Sequence, residues 1–575
     1  MEATVKNSDV AARLNEIAAL MEFDGEPFFK IKAYERAGRS LEDSQTPVQE
    51  LIDGNALSDL PGVGKAIAQK IVDINTTGTC KYLEELRAKF PPTVLELLRV
   101  PGIGAKTAVL LFRELGVSSL DQLRRALDDG SIAAVPRLGR KTVENIRSRL
   151  DRLSAHPKRM RLGDAWPLAQ LVVAELERFP DAKNVVAAGS VRRMERSVRD
   201  IDVICTSEQP QAVLDRFAAL DIAERISGRG PTKATMWASE GISIDCRVVP
   251  HECFGNLLQH FTGNKQHNVT LREFALRKGL SVSEYGIQDK DGAVRVCADE
   301  AQVYEMLGLA FIPPELRLGL DEIDLARRRR IPELVALSDI RGDLHAHTNW
   351  SDGTRTIDEM AQAAAARGRE YLSISDHSPG RAVANGLTLE RLREQARAIK
   401  AVREKYGIRL LCSSEVDIRA DGTLDWPDEV LAELDIVVAS IHSSFRASAE
   451  QQTQRLLKAI ENPFVNIIGH PTGTLIEERD GYEFDAEAVF AAAARSGTAL
   501  EINANPARLD LPADLARRAR LLGCTISIDT DAHHTGDLDN MFYGVGTARK
   551  AGIAKEAVLN ARPLREVLEF VKQKR

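Results

Sequence analysis

After Ser338 the sequence settles into a repeated strand-then-helix pattern whose apolar runs end on metal-binding residue types. The runs are Asp343-Leu-His345-Ala-His347, followed by Ser351-Asp352, then Leu372 to Asp376-His377, Leu411 to Glu415, Ile436 to His442, Val465 to His470, and Thr525 to Asp531-Ala-His533. Few folds accommodate that pattern. Parallel strands need crossover helices, and a closed ring of such units gathers the C-terminal ends of its strands on one face, as in a (β/α) barrel. The His-x-His and Asp-x-His pairs set two ligands on the same side of one strand end. Of the chain's 11 histidines, seven follow Ser338, and six of those belong to this set. One buried histidine after a strand is ordinarily structural. Six, joined by Asp352, Glu415 and Asp531, exceed the needs of one metal and suit two or three Mn2+, Zn2+ or Fe ions. Such a cluster binds phosphate oxygens and activates water at neutral pH. Asp376 is expected to orient a ligand from behind.

The first half carries a different metal signal. An apolar run ends at Gly189-Ser190, Arg192-Arg193 follow, and Asp200-Ile-Asp202 opens a second run. Read as strand, turn and strand, Asp200 and Asp202 project from one face. The spacing alone is weak, since Asp289/Asp291 and Asp529/Asp531 repeat it. Gly241 to Val249 alternates like a further strand and delivers Asp245. Three carboxylates from neighbouring strands, beside a Gly-Ser turn that can approach phosphates, predict a site for two Mg2+ or Mn2+ holding a triphosphate.

Upstream, helical spacing runs from about Ser8 to Arg39. Leu60-Pro-Gly62-Val-Gly64-Lys65 then has a near-copy forty residues on, Val100-Pro-Gly102-Ile-Gly104-Ala-Lys106. A third, eroded version, Val135-Pro-Arg-Leu-Gly, reads as structural. Each Gly-x-Gly turn precedes an amphipathic helix, so backbone N–H groups can converge on one phosphate. Such a contact ignores base identity and weakens with salt. The net charge of −7 does not oppose DNA binding, because residues 99–161 carry 14 basic against 6 acidic side chains. No apolar stretch is long enough to span a bilayer and the start lacks a signal-peptide pattern, so no membrane partner is expected. Seven scattered cysteines without a CxxC pair fit reduced thiols in the cytoplasm.

The paired hairpins, which resemble helix-hairpin-helix motifs, and the Gly-Ser…Asp-x-Asp…Asp series resemble the family X DNA polymerases, the group of DNA polymerase beta, over roughly Asn7 to Arg317. That resemblance implies that Asp200, Asp202 and Asp245 hold the metals, and that Gly189, Ser190, Arg193 and Arg159 meet the triphosphate. It further implies a nucleotide pocket built from His260, Phe261, Gly263, Asn268, Arg272 and Glu284-Tyr285. Gly62, Gly64, Lys65, Gly102, Gly104 and Lys106 become the DNA contacts. Lys70 falls where the beta enzyme has its Schiff-base lysine, which makes it a candidate 5′-deoxyribose phosphate lyase residue. Departures accompany the match. His260 replaces a tyrosine, Val198 and Arg199 replace small residues, Lys265 replaces an acid and Ala66 replaces a second lysine, so fidelity and ribonucleotide discrimination do not transfer. Residues from about Ile340 to Lys572 resemble the PHP domain of bacterial polymerases and histidinol phosphatases. By that likeness His345, His347, Asp352, His377, Glu415, His442, His470, Asp531 and His533 carry the metals, with no ligand position replaced.

At 575 residues several domains are expected. The fold expectation is a multidomain chain: α-helical helix-hairpin-helix domains at 1–90 and 91–152, an α/β nucleotidyltransferase palm at 153–248, a thumb at 249–320, a linker at 321–338 with Arg327 to Arg330 on a solvated helix, and a distorted (β/α) barrel of PHP type at 339–575. The expected function is gap filling in DNA repair by a monomer acting on gapped or nicked DNA and dNTPs, with Mn2+-dependent 3′–5′ exonuclease or 3′-end processing by the barrel. The alternatives are a small-molecule phosphatase tethered to DNA and a non-catalytic DNA-end scaffold.

Overall fold

The computed structural model describes residues 7–574, apart from 43, 45–47, 101–102, 137, 140–141, 145, 148–158, 382–383 and 404. It divides into two compact units, Met1–Lys158 and Arg159–Arg575.

The first unit is helical. The amphipathic stretch at its start breaks into two helices, Asn7–Asp24 and Phe28–Glu42, at Gly25, whose φ of +80° favours glycine. Their apolar faces share one core with the later helices Lys65–Thr77, Lys81–Lys89, Ala105–Leu115 and Leu120–Asp128. The helix caps of the two hairpins have the same geometry. Gly64 caps its helix at φ −86°, ψ 171° and Gly104 caps its helix at φ −86°, ψ 172°. In each, the residue between the glycines, Val63 or Ile103, is buried and donates its N–H back three residues, to Leu60 or Val100.

The second unit begins with the palm. Its five-stranded sheet runs in the order Lys183–Ala187, Asp200–Thr206, Ser243–Val249, Lys233–Ala238, Ala223–Arg229, and only the Asp200–Thr206/Ser243–Val249 pair is parallel. Helices Leu162–Glu177 and Pro210–Ala218 bury their apolar stripes against it. The thumb follows, with helices Phe254–Thr262, Lys265–Arg277 and Glu300–Met306 and a small three-stranded sheet. The stretch expected to be a linker starts with the helix Glu322–Arg327, which buries Ile323 and Ala326 in the thumb core. The solvated-linker reading is therefore corrected for that helix: its apolar face belongs to the thumb core, while Arg327 at its end and Arg328 to Arg330 beyond it are exposed.

The remaining strands form one parallel sheet of seven, in sequence order: Gly342–Asp343, Tyr371–Ile374, Arg409–Asp417, Ile436–Ser440, Ile467–Ile468, Ala499–Asn503 and Ile526–Asp529. Just beyond the first and last strands the ring closes through a parallel bridge between Ala346 and Ala532, with Asp531 N–H donating to His345 O at 3.0 Å and His347 N–H to Ala532 O at 2.8 Å. Surrounding helices open on capping boxes, Thr356 with Glu359 and Ser448 with Gln451. The helix Leu564–Lys574 packs Val567 and Val571 against the strand starts, at the end away from the ligands. Palm and barrel share a core: Ile476, Leu509 and Tyr543 pack with the palm residues, and Trp166 meets Phe542 at 4.7 Å.

Candidate metal centres

Register builds the palm centre. Asp202 lies directly opposite Asp245 on the parallel neighbour strand, and Asp200 lies opposite Ser243. Alternation then puts all three acids on one face. The turn before them is a single helical turn, Gly189–Arg192, not an open loop. Gly189 has φ +58°, and a Cβ there would fall 2.2 Å from Asp202 Oδ2, so a side chain would displace the acid. Burial, and then the charges of Asp200 and Asp245, push the Asp202 pKa up to about 7. Asp245 is better compensated, accepting from Thr235 Oγ1 at 2.6 Å and pairing with Lys233 Nζ at 2.6 Å. An oxygen-only donor set that crowds its own negative charge suits Mg2+ or Mn2+. Lys233 and Thr235 escaped sequence reading, because their strand pairs with Asp245 through a register that only the fold fixes.

Around the turn, Arg192 forks onto Glu300 at 3.0 and 2.8 Å, and Glu300 also pairs with Arg317 at 2.5 Å. Arg317 is fully buried, so this chain of charges ties the turn to the thumb. Arg193 donates to the Thr262 carbonyl beside Gly263. Arg159 spends two donors on Ser197, one on its Oγ at 2.8 Å and one on its carbonyl, rather than on Ser190. In the pocket Arg247 stacks on Phe261 at 4.3 Å. Burial pushes the His260 pKa down, and Arg272 lies 3.1 Å from the ring's Nδ1, an arrangement suited to a neutral acceptor. Asn268 bridges the helix end, donating to His260 O at 2.8 Å and accepting from Gln259 at 2.9 Å. Tyr285 is 66% exposed and available to a ligand.

In the helical unit, Gly62 (φ +89°), Gly64 and Lys65 form the first turn, ahead of first-turn N–H groups that a helix leaves without internal partners. Gly104 matches Gly64, whereas Gly102 and the Lys106 side chain lie outside the described residues. Lys70 Nζ donates to Ala66 O at 3.1 Å and sits 5.4 and 6.0 Å from the Tyr82 and Tyr34 rings.

The barrel centre gathers all nine expected ligands at the C-terminal ends of the strands. Eight of them fall into three overlapping groups whose ligand atoms lie within 4.8 Å: His347, Asp352, His377 and His533; His345, His347 and Asp531; and His377, Glu415 and His442. Among the described residues, groups this tight occur nowhere else, the palm included. His470, outside these groups, touches Glu415 with Nε2 at 2.8 Å. Glu415 is the hub, with His377 Nδ1 at 2.9 Å and His442 Nε2 at 3.2 Å. Buried His345 Nε2, both His347 ring nitrogens, His377 Nδ1 and His470 Nδ1 have no hydrogen-bond partner. Orphaned imidazole nitrogens converging on ionised carboxylates fit divalent metals. Burial opposes charge on His377, yet Glu415 and Asp352 drive its pKa up to about 10; against the same opposition Asp352 and Asp531 lift His533 to about 9. The cluster demands positive charge.

Supporting contacts lie behind the ligands. Glu501 accepts from His345 Nδ1 at 2.7 Å and Asp417 from His442 Nδ1 at 2.5 Å. Asp376 does not touch a ligand imidazole. It accepts from Thr348, Gln395 and Ser351, and Ser351 Oγ reaches Asp352 Oδ1 at 3.2 Å, so it orients that ligand at one remove. Arg508 Nε stands 3.7 Å from Asp531 Oδ2. Sequence reading missed Glu501, Asp417 and Arg508. Alternation along Ala499–Asn503 offered a signal for Glu501, but none marked Arg508, which sits on a loop.

Comparisons with known proteins agree with this division. Residues 5–80 match a helix-hairpin-helix domain, 94–152 a SAM-like helix-hairpin-helix tandem, 257–318 the DNA polymerase beta thumb and 343–505 the PHP domain. The chain is 38% identical over 569 residues, 98% of its own length and 99% of the relative's, to the DNA polymerase/3′-5′ exonuclease PolX of Bacillus subtilis. It is 25% identical over 346 residues, 55% of this chain and 57% of the relative, to DNA polymerase lambda of Rattus norvegicus. A protein of Thermoanaerobacter named "Probable phosphatase" is 31% identical over 245 residues, which is 40% of this chain and 95% of the relative. With an end-to-end relative and matched hairpins, thumb and barrel, the chain belongs to the family X DNA polymerases that carry a C-terminal PHP domain.

Proposed function

We propose that this chain is a DNA-directed DNA polymerase that fills short gaps during repair, and that its barrel trims or cleans 3′ ends in a Mn2+-dependent 3′–5′ exonuclease reaction. The observation that carries the reading is the pairing of Asp202 with Asp245 across parallel strands beside the Gly189 turn, in one compact unit with a nine-ligand cluster.

In the palm, Asp200, Asp202 and Asp245 would hold two Mg2+ or Mn2+, which supply a lowered pKa at the primer 3′-hydroxyl and charge neutralisation at the leaving pyrophosphate. Gly189 lets the triphosphate approach the backbone, and Ser190 and Arg193 hold it, with Arg159 placed to brace the adjoining strand. Phe261, steadied by Arg247, packs on the incoming sugar with His260 and Gly263. Asn268 and Arg272 line the side of the new pair. In the barrel, two or three Mn2+, Zn2+ or Fe ions held by the nine ligands would supply activated water and stabilise the departing oxygen. Glu501 and Asp417 fix the His345 and His442 rings so that Nε2 faces inward, and Arg508 is placed to meet a phosphodiester oxygen. The turns at Gly62, Gly64, Lys65, Gly102, Gly104 and Lys106 bind the backbone of gapped or nicked DNA. Lys70, flanked by two aromatic rings, remains the candidate for lyase chemistry. We place the protein in the cytoplasm as a monomer; its seven cysteines are all unpaired.

Primer extension on gapped, 5′-phosphorylated DNA tests the reading, with 3′ shortening scored in parallel. Asp200→Ala/Asp202→Ala should lose extension and keep shortening, whereas His345→Ala/His377→Ala should do the reverse. Extension by the aspartate variant overturns the palm assignment. Full Mn2+ nuclease activity in the histidine variant overturns the barrel assignment. Release of phosphate from a small phosphomonoester but not from DNA ends would favour the phosphatase reading that the 31% relative's name suggests.

A further inference from the structure

The palm does not hold its triphosphate-side turn alone. Met194, at φ +55° and buried, seats its side chain on Gly546 of the barrel helix Met541–Lys550. A Cβ on Gly546 would come within 2.3 Å of Met194 Cε and 3.0 Å of its Cγ, so glycine leaves the room that Met194 fills. One helical turn further on the same face, Lys550 pairs with Glu195 Oε2. Both side chains are largely enclosed, Lys550 at 12% exposure and Glu195 at 27%. Glu195 Oε1 lies 3.7 Å from Arg193 Nε, a buried N–H with no hydrogen-bond partner, and Glu195 N–H donates to Ser190 O at 3.0 Å. One carboxylate is thus shared by two cations, the palm's Arg193 and the barrel's Lys550.

We propose that the Met541–Lys550 helix is a positioning element of the polymerase centre, in which Lys550, by neutralising Glu195, keeps the Arg193 guanidinium free and correctly placed for the incoming triphosphate. The inference rests on the reading of Arg193 as a triphosphate contact. Without the ammonium, Glu195 would lose one of its two cations and lean on Arg193. It would draw the guanidinium to itself and repel a polyphosphate entering at Ser190. Burial, the larger influence, pushes the Lys550 pKa down, and the Glu195 carboxylate opposes that shift. A cavity of about 410 Å³ lined by Met194, Glu195 and Lys550 adjoins the pair, so solvent moderates the effect. Lys550 is a positioning residue and touches no reacting atom.

The test is steady-state single-nucleotide extension by the full chain, with Mn2+ nuclease measured on the same preparations. Lys550→Met should raise the dNTP KM about three- to tenfold, a range between exposed and buried pairs, with kcat and nuclease activity within about twofold of wild type. Lys550→Arg should restore KM. Glu195→Gln added to Lys550→Met should also restore most of it, since no orphaned carboxylate remains; a purely structural contact would give additive losses instead. Lys550→Gln, which keeps a donor but no charge, carries the same expectation should the methionine variant fail to fold. Unchanged KM in both lysine variants, an additive double variant, or equal loss of nuclease activity overturns the proposal. Arg193→Ala separates the layers: if it raises KM and the lysine variants do not, only this inference fails. If Arg193→Ala leaves KM unchanged, the triphosphate assignment fails and this inference falls with it.

Discussion

The two metal centres of this unit solve the same problem from opposite ends. The palm has three oxygen donors, Asp200 exposed and Asp202 and Asp245 half-buried, and a lysine already leaning on one of them. The barrel has nine donors, six of them imidazoles and six of the nine buried, with His345 and His442 braced from behind by Glu501 and Asp417. A site with three carboxylates completes its coordination with the oxygens of a substrate, so it is assembled at each turnover. A site with nine protein ligands has its metal-holding side chains in place before DNA arrives, and leaves open positions for water and a phosphate oxygen. The contrast suits a centre that must receive a new triphosphate every cycle and one that attacks whatever 3′ end is threaded into it.

The strongest way to break that contrast is to delete one ligand from each. Asp202→Ala should lower extension by roughly 10²–10³-fold or more with barrel metal content unchanged, while His345→Ala should strip metal from the barrel, read by elemental analysis after desalting, and spare extension. Loss of barrel metal in the aspartate variant would show that the centres are not independent.

Next in size is Glu501→Gln, which removes the charge behind His345. Weakening of barrel metal affinity by about 10–100-fold is expected, measured by chelator competition. Nuclease activity should recover at high Mn2+.

Acidity separates the centres further. Metal must displace protons from His377, whose pKa stands at about 10, and His533, at about 9, so barrel affinity should climb with pH up to that range, by up to about tenfold per unit for each proton released. In the palm the group to be ionised is Asp202, at about 7. Palm affinity should therefore fall below pH 7 and level off above it. Isothermal titration of Mn2+ at pH 6.5, 7.5 and 8.5 reads both slopes; a barrel that is flat across this range contradicts the charge demand seen there.

The smallest effect is expected for Lys233→Met. Removing a partly exposed ammonium from Asp245 should tighten Mg2+ binding in the palm by about twofold to fivefold. Weaker binding would mean that Lys233 holds Asp245 in place instead of competing for it.

Much of both centres was legible because their residues mark the ends of apolar runs. His345, Glu415 and Asp531 each lie within two residues of the C-terminal end of a strand, and a parallel fold collects such positions whatever the loops do. Asp245 was legible through alternation. What strands cannot announce is register between partners far apart in sequence, so Lys233 and Thr235 stayed hidden behind ordinary strand residues. The Lys550–Glu195 pair was invisible for a stronger reason: it depends on how two folded regions dock, which no local pattern encodes. The helix Glu322–Arg327 misled because its exposed arginines are conspicuous in sequence while Ile323 and Ala326 on the other side are not.

The bridge between Ala346 and Ala532 has a temporal consequence. It joins the segments just beyond the first and last strands of the barrel, so His345 and His347 meet Asp531 and His533 only once synthesis has passed His533. A polypeptide halted before Asp531 would lack the helix Met541–Lys550 that packs on the palm, and its barrel would be an open sheet with two ligands absent and one edge bare. Only a chain translated past its last strand can therefore lock the ring and bring Asp531 and His533 to the ligands of the first strand.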